Sequence, residues 1–241
     1  MKTKITSPYA KITAARLASI ALICAGALSG LFTEAKATPA ETSADCPLHI
    51  GRPGYHRRFD DAEKWVKKFD DPARLIWQKP EDVIEALKIQ AGDKVADVGA
   101  GTGYFSLRIA KDYPSVTVYA ADIEPSMIAY LKKQAKAKAL PNHKALKIDA
   151  HRATLPEVDL VLVVDTYHHI DNRISYFADL KKRLSPKGRV AIIDFTAESP
   201  EGPPPEHRLK KESVVVEMNK AGYSLDQDLA LLPYQYFLIF K

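Results

Sequence analysis

The stretch "KVADVGAGTGYFSLRIA", Lys94 to Ala110, joins a short apolar run to three alternating glycines, Gly99, Gly101 and Gly103, and then to a helical pattern. That sequence of patterns is a strand, a tight loop and a helix. Outward from it, "VTVYAA", "ALKI", "LVLVV" and "RVAIIDF" are further strand-like runs, rich in β-branched residues and bounded by turns. Between them the spacing predicts helices over about 103–112, 124–138, 172–185 and 208–221. Apolar strands alternating with helices imply a parallel sheet covered on both faces, an α/β doubly wound fold. The closing "YSLDQDLALLPYQYFLIFK" has no helix between its two strands around Leu232-Pro233, so they should pair antiparallel, making a seven-stranded, mostly parallel sheet.

Ahead of this unit, "DDAEKWVKKF" has a capping acid at Asp60 or Asp61 and apolar residues at helical spacing. A second helix is predicted just beyond Pro80, carrying Val83, Ile84, Ala86 and Leu87. Trp77, between the two, admits a lid over a ligand or plain core packing, and core is the favoured reading.

Residues 1–37 read as a secretory signal, with Lys2, Lys4, Lys11 and Arg16 ahead of the apolar run Leu17 to Phe32 and a small-x-small site at Ala35-Lys36-Ala37. That run is 16 residues, short of the roughly 20 a spanning helix needs; an uncleaved membrane anchor is the alternative. The expectation is therefore export, to the periplasm in a bacterium. The formal charge of +5 invites a nucleic-acid or membrane-surface partner, but removing residues 1–37 leaves 30 Lys and Arg against 29 Asp and Glu. No nucleic-acid partner is expected, and contact with a membrane only through an uncleaved signal. Cys24 leaves with the signal, so Cys46 has no partner for an internal disulfide. Residues 38–60 read as a linker or extended arm, and 61–241 as one domain.

Doubly wound sheets bind ligands at the carboxyl ends of their strands, where strand order reverses, and the glycine loop follows the first strand. A phosphate-cradling loop would end in Gly-Lys-Ser/Thr, whereas Gly103 is followed by Tyr104 and Phe105. A dinucleotide loop spaces its glycines G-x-G-x-x-G, and here the spacing is G-x-G-x-G. Asp97, just ahead of the loop, would also set a negative charge near a pyrophosphate. A ligand with a positive pole and no phosphate fits better, and S-adenosylmethionine, with its sulfonium and ammonium, has that character.

From about Val95 to Phe195 the chain resembles the class I S-adenosylmethionine-dependent methyltransferases, in particular the ubiquinone and menaquinone methyltransferase-like branch of small-molecule enzymes, and within it an exported bacterial subgroup. "VADVGAGTG" is similar to the first motif of that family and "VYAADIEPSMI" to its second, whose acid holds the ribose hydroxyls; Asp122 stands in that place. "LKIDAHRATLP" resembles the third segment, giving Asp149 and the Ala150 backbone an adenine-binding role. The resemblance implies a Rossmann-like methyltransferase sheet and a cosubstrate site of Asp97, Gly99, Ala100, Gly101, Gly103, Tyr104, Asp122, Ile123, Asp149, Ala150 and Asp165. Tyr104 admits two roles, hydrogen bonding to the methionine end or packing beneath it.

"VDLVLVVDTYHHI" is similar to the fourth strand and the loop that lines the methyl end. The absence there of Asn/Asp-Pro-Pro-Tyr/Phe counts against DNA-adenine and glutamine methylation. Asp165, Tyr167, His168 and His169 are the catalytic candidates, with adjacent side chains in a turn expected to diverge so that one histidine faces the pocket. His168 and His169 as capping or core residues stand against that reading. His207, after the stiff run Pro203 to Pro205, is a further candidate if its loop closes on an acceptor. No metal is expected, for want of a ligand set. The expected function is methyl transfer from S-adenosylmethionine to a small-molecule acceptor by in-line displacement; a non-catalytic exported nucleoside-binding module and a dehydrogenase of similar topology are the alternatives.

Overall fold

The computed structural model describes Gly51 and residues 53–241. The expected signal over 1–37, most of the expected arm over 38–60, and Cys46 lie outside the described residues. Three short helices come first: α1 Ala62–Phe69, α2 Arg74–Gln78 and α3 Pro80–Ala86. The sheet unit follows as β1 Lys94–Val98, α4 Ser106–Asp112, β2 Thr117–Asp122, α5 Pro125–Ala137, β3 His143–Lys147, β4 Val158–Val164, α6 Arg173–Lys181, β5 Leu184–Phe195, α7 Lys211–Lys220, β6 Leu225–Asp228 and β7 Gln235–Phe240.

The seven strands run in the order β3-β2-β1-β4-β5-β7-β6. Pairing is parallel from β3 to β5, and β7 runs antiparallel to both β5 and β6. The chain moves outward from β1 to β3 and then returns to β4 on the other side of β1. That reversal opens a crevice at the carboxyl ends of β1 and β4.

Period-two alternation supplies both layers of core. In β4, Val161 and Val163 pack with Tyr176, Phe177 and Leu180 of α6 and with Val214 and Met218 of α7. Leu160, Leu162 and Val164 face the other way, onto Val83 and Ile84 of α3 and Ile109 of α4. A strand buried on both faces must be apolar throughout, which is why "LVLVV" shows no alternation.

Asp61 caps α1 by accepting from the Lys64 N–H, and Pro80 opens α3, where its missing N–H costs nothing. Besides α7, expected from 208 and found from Lys211, three features differ from the periodicity. The helix expected from 103 starts at Ser106, because Gly103 to Phe105 form a turn. The helix expected to reach 185 stops at Lys181, and the Arg183 carbonyl accepts from Val158 N at 2.9 Å, so the chain is already joining the sheet. The third is α2, absent from the sequence reading, a five-residue helix ended by Lys79 at φ +41°. Among the described residues no helix is long and apolar enough to cross a membrane.

The ion pair between Arg173 and Glu217 lies wholly inside. Arg173 Nε and Nη2 donate to Glu217 at 2.7 and 3.0 Å, and Tyr167 Oη donates to the same carboxylate at 2.9 Å. A buried carboxylate stripped of its cation has no water to replace it. Arg173→Met is expected to lower stability by about 3–5 kcal/mol, read as a fall in the urea midpoint, and Arg173→Met/Glu217→Leu to recover part of the loss.

Candidate active site

The crevice holds a cavity of about 400 Å³ whose floor is the glycine loop. Gly99 and Ala100 both direct their N–H groups to the Ala121 carbonyl, at 2.8 and 3.1 Å, and Gly101 N donates to Asp122 Oδ2 at 2.9 Å. All three loop glycines have positive φ, +76°, +54° and +91°. A Cβ at Gly99 would strike Thr166 Oγ1, and one at Gly103 would lie 2.8 Å from Leu107 and Leu131. Gly99, Ala100 and Gly101 line the cavity, while Gly103 turns away to let α4 and α5 pack close.

Asp122 is fixed from two sides, since Glu124 N also donates to its Oδ1 at 2.9 Å. Asp97 lies at the back, accepting from Ser106 N at 3.1 Å. Burial pushes its carboxyl up to about 7; the Ser106 N–H acts against that rise and the nearby Asp122 charge adds to it. Ser106 Oγ lies 3.2 Å from His143 Nε2 behind the loop. Tyr104 lines the cavity with its ring between the guanidiniums of Arg74 and Arg108, at 4.1 and 4.0 Å, and its Oη is buried without a partner among the described residues. Asp149 and Ala150 line an adjoining depression with Lys147 and Ile148, and Ile123 belongs to both hollows.

On the facing wall, Asp165 sits at φ +54° and accepts from Gln78 Nε2 at 3.0 Å, from Arg74 at 3.3 Å, and from Gln235 Nε2. Burial raises its pKa and the Arg74 charge works against that rise. Arg74 also donates to Gln78 and to the Phe69 carbonyl, so it cannot swing away freely. Thr102 Oγ1 donates to Asp70 Oδ1 at 2.8 Å and ties α1 to the loop.

His168 and His169 both line the cavity, so the expected divergence of the two side chains does not take one of them out of it. His168 Nδ1 lies 2.8 and 2.9 Å from the two oxygens of Asp194, which also accepts the backbone N–H groups of His168 and Phe195. Burial alone would lower the His168 pKa; the Asp194 charge and hydrogen bond outweigh it and the net shift is upward. His169 goes the opposite way, to about 4, through burial and then the neighbouring His168 charge. Its Nδ1 donates to the Tyr55 carbonyl, so the neutral ring keeps a lone pair on Nε2.

Two sequence candidates lie elsewhere. Tyr167 is fully buried, because the short 3₁₀ turn Tyr167–His169 rotates it inward to Glu217 and away from the cavity. His207 does not line the cavity either, and stacks on Tyr55 at 4.2 Å between ring centroids. Trp77, read as core, is half-buried and lines the cavity beside Phe195 at 6.0 Å. Arg74, Gln78, Asp194 and Gln235 were not singled out from the sequence; for the last three a glutamine or aspartate inside an apolar run was the available signal, and Arg74 carried none. Among the described residues no cluster suits a metal ion.

A family model described as "Methyltransferase domain" matches residues 95–188. The demethylmenaquinone methyltransferase of Thermus thermophilus is 26% identical over 136 residues, 56% of this chain and 58% of that protein. Phosphoethanolamine N-methyltransferase 1 of Zea mays is 31% identical over 148 residues, 60% of this chain and 27% of that protein. The chain thus spans less than two thirds of either relative. A crystal structure of a SAM-dependent methyltransferase from Aquifex aeolicus superposes with a TM-score of 0.69 at 29% identity, covering 75% of this chain and 97% of that one.

The raised Asp97 carboxyl carries a stability consequence. Its pKa of about 7 in the folded chain exceeds the ordinary 3.8. The folded state therefore holds an extra proton between those values, and stability falls as pH rises through that window. Asp97→Asn is expected to flatten the decline by about 1 kcal/mol per pH unit, measured by urea unfolding at several pH values between 4 and 7.

Proposed function

We propose that this chain, whose residues 95–188 match a methyltransferase domain model and whose fold matches a SAM-dependent methyltransferase, transfers a methyl group from S-adenosylmethionine to a small-molecule acceptor that gives up a proton. The observation that carries this reading is one cavity with two chemically different walls. One wall is the glycine loop with Asp97 and Asp122, and the other is the His168–Asp194 pair.

The residues suit a zwitterionic nucleoside. Asp122 keeps free lone pairs on two anchored oxygens, the geometry a vicinal diol needs. Asp97, once ionised above about pH 7, offers negative charge to an ammonium, and Arg74 supplies the cation that a carboxylate would meet. The adjoining depression at Ile123, Asp149 and Ala150 extends the site for the base. When bound, the cosubstrate supplies a methyl group made electrophilic by a sulfonium. The chain contributes alignment, exclusion of water by the aromatic side chains around the cavity, and a proton acceptor.

His168 is that acceptor. Asp194 holds its Nδ1–H, which leaves Nε2 to take a proton, and the carboxylate then stabilises the imidazolium formed. The upward shift of the His168 pKa means that the ring is charged at low pH. Turnover should rise with pH through that shifted value. The acceptor itself is not fixed by the relatives, whose names give demethylmenaquinone and phosphoethanolamine. Export belongs to this proposal on the strength of the basic and apolar pattern of residues 1–37, and sequencing the mature N-terminus would test it.

Calorimetry with S-adenosylmethionine and S-adenosylhomocysteine is the direct test. Wild-type protein should bind both, and Asp122→Ala should bind at least about tenfold more weakly, the loss of a charge-assisted hydrogen bond; a well-folded wild type that binds neither sinks the assignment. With an acceptor found by labelled-methyl screening, His168→Asn should lower turnover by about 10²–10⁴-fold and abolish its rise with pH, with cosubstrate affinity kept. Asp194→Asn should act in the same direction.

A further inference from the structure

The cosubstrate reading leaves one side of the cavity without a role. Tyr55 and Phe59 line it, yet they come from the segment ahead of α1, which has neither helix nor strand. That segment is bound to the domain mainly through its backbone. Tyr55 N donates to the His168 carbonyl at 2.7 Å, and the Tyr55 carbonyl accepts from His169 Nδ1. Gly54 N donates to Asp171 Oδ1 at 2.7 Å, and His56 Nε2 lies 3.0 Å from the other oxygen of Asp171. Gly51 N donates to the buried Glu217 at 2.8 Å.

Two further observations fix how close the contact is. A Cβ on Gly54 would collide with the His169 carbonyl, so the strap crosses the histidine turn at a distance only glycine allows. The ring of Tyr55 stacks with His169, at 5.4 Å and 21°, and with His207, at 4.2 Å and 22°. His207 comes from the loop after β5, whose Gly202 and Pro203 also line the cavity. The strap therefore joins two loops that bear on one space.

We propose that the strap from Pro53 to Phe59 is the acceptor-side wall of the site, with Tyr55 its specificity-determining side chain and His207 a positioning residue acting through Tyr55. This rests on the methyltransferase reading. The turn that presents His168 is the turn to which the strap is hydrogen-bonded, so the shape of the acceptor space and the aim of the base are set together. A ring stacked with imidazoles from two different loops is a rigid wall, and rigid walls discriminate between ligands that differ by a methylene or a ring.

The test uses the full chain as wild type, Tyr55→Ala, Tyr55→Phe, His207→Ala and His207→Phe. Amide hydrogen exchange is read on the strap, with β4 as the folding control. Binding of S-adenosylhomocysteine is read by calorimetry, and binding of the apolar probe 1-anilinonaphthalene-8-sulfonate to the S-adenosylhomocysteine-saturated protein by fluorescence. His207→Ala should raise exchange at Tyr55 at least tenfold, and His207→Phe, which keeps a stacking ring, should restore protection. Tyr55→Ala should change probe affinity at least fivefold and Tyr55→Phe by less than twofold, with S-adenosylhomocysteine affinity within threefold of wild type throughout. Unchanged exchange in His207→Ala, or an unchanged probe affinity in Tyr55→Ala, overturns this inference alone. Failure of the wild type to bind S-adenosylhomocysteine overturns the cosubstrate reading and takes this inference with it.

Discussion

The N–H groups of Gly99 and Ala100 converge on the carbonyl of Ala121, and that of Gly101 is taken by the carboxylate of the next residue, Asp122. Parallel register makes this possible, since Val98 stands opposite Ala121 and the chain leaving β1 meets the end of β2 at once. An ordinary strand-to-helix connection leaves its first N–H groups for a ligand or water. Here three are satisfied by the neighbouring strand, and the side chain that does part of the work is also the acid of the site. Loop shape and site charge are thus one interaction, and the positive φ values at the glycines follow from it.

That half of the site was legible because it is local. A strand, a loop and a helix succeed one another in the sequence, and the acids that matter stand at strand ends, where a hydrophobic run stops. The other half is built across the chain. Gln78 reaches Asp165 and Gln235, respectively 87 and 157 residues away, and His168 finds Asp194 after 26. No spacing rule announces such pairs. Tyr167 shows the same limit at short range: it neighbours two cavity residues in sequence, but one 3₁₀ turn commits it to Glu217. Trp77 was misplaced for a related reason, since a wide aromatic beside an unforeseen helix gives no sign of which face it takes.

Two adjacent histidines in one turn carry opposite shifts. His168 is buried and His169 half-buried, and burial penalises charge in both. Asp194 reverses the outcome for His168, whereas for His169 the neighbouring His168 charge adds to burial and the Tyr55 carbonyl does not offset them. The pair shows how one aspartate, inserted near the end of the apolar run of β5, assigns different states to identical side chains. It also explains why an aspartate is tolerated in the sheet interior, where four hydrogen-bonding contacts, two of them to backbone N–H groups, meet its oxygens.

The nucleoside wall is drawn from β1, β2 and the loops after them, but the opposite wall needs Gln78 from the early helices and Gln235 from the last strand. A chain emerging from the ribosome can therefore close its glycine loop while Asp165 still lacks one of its donors. Nascent chains fold from the amino end as they are made. The polar lattice around Asp165 is finished only when β7 has inserted beside β5.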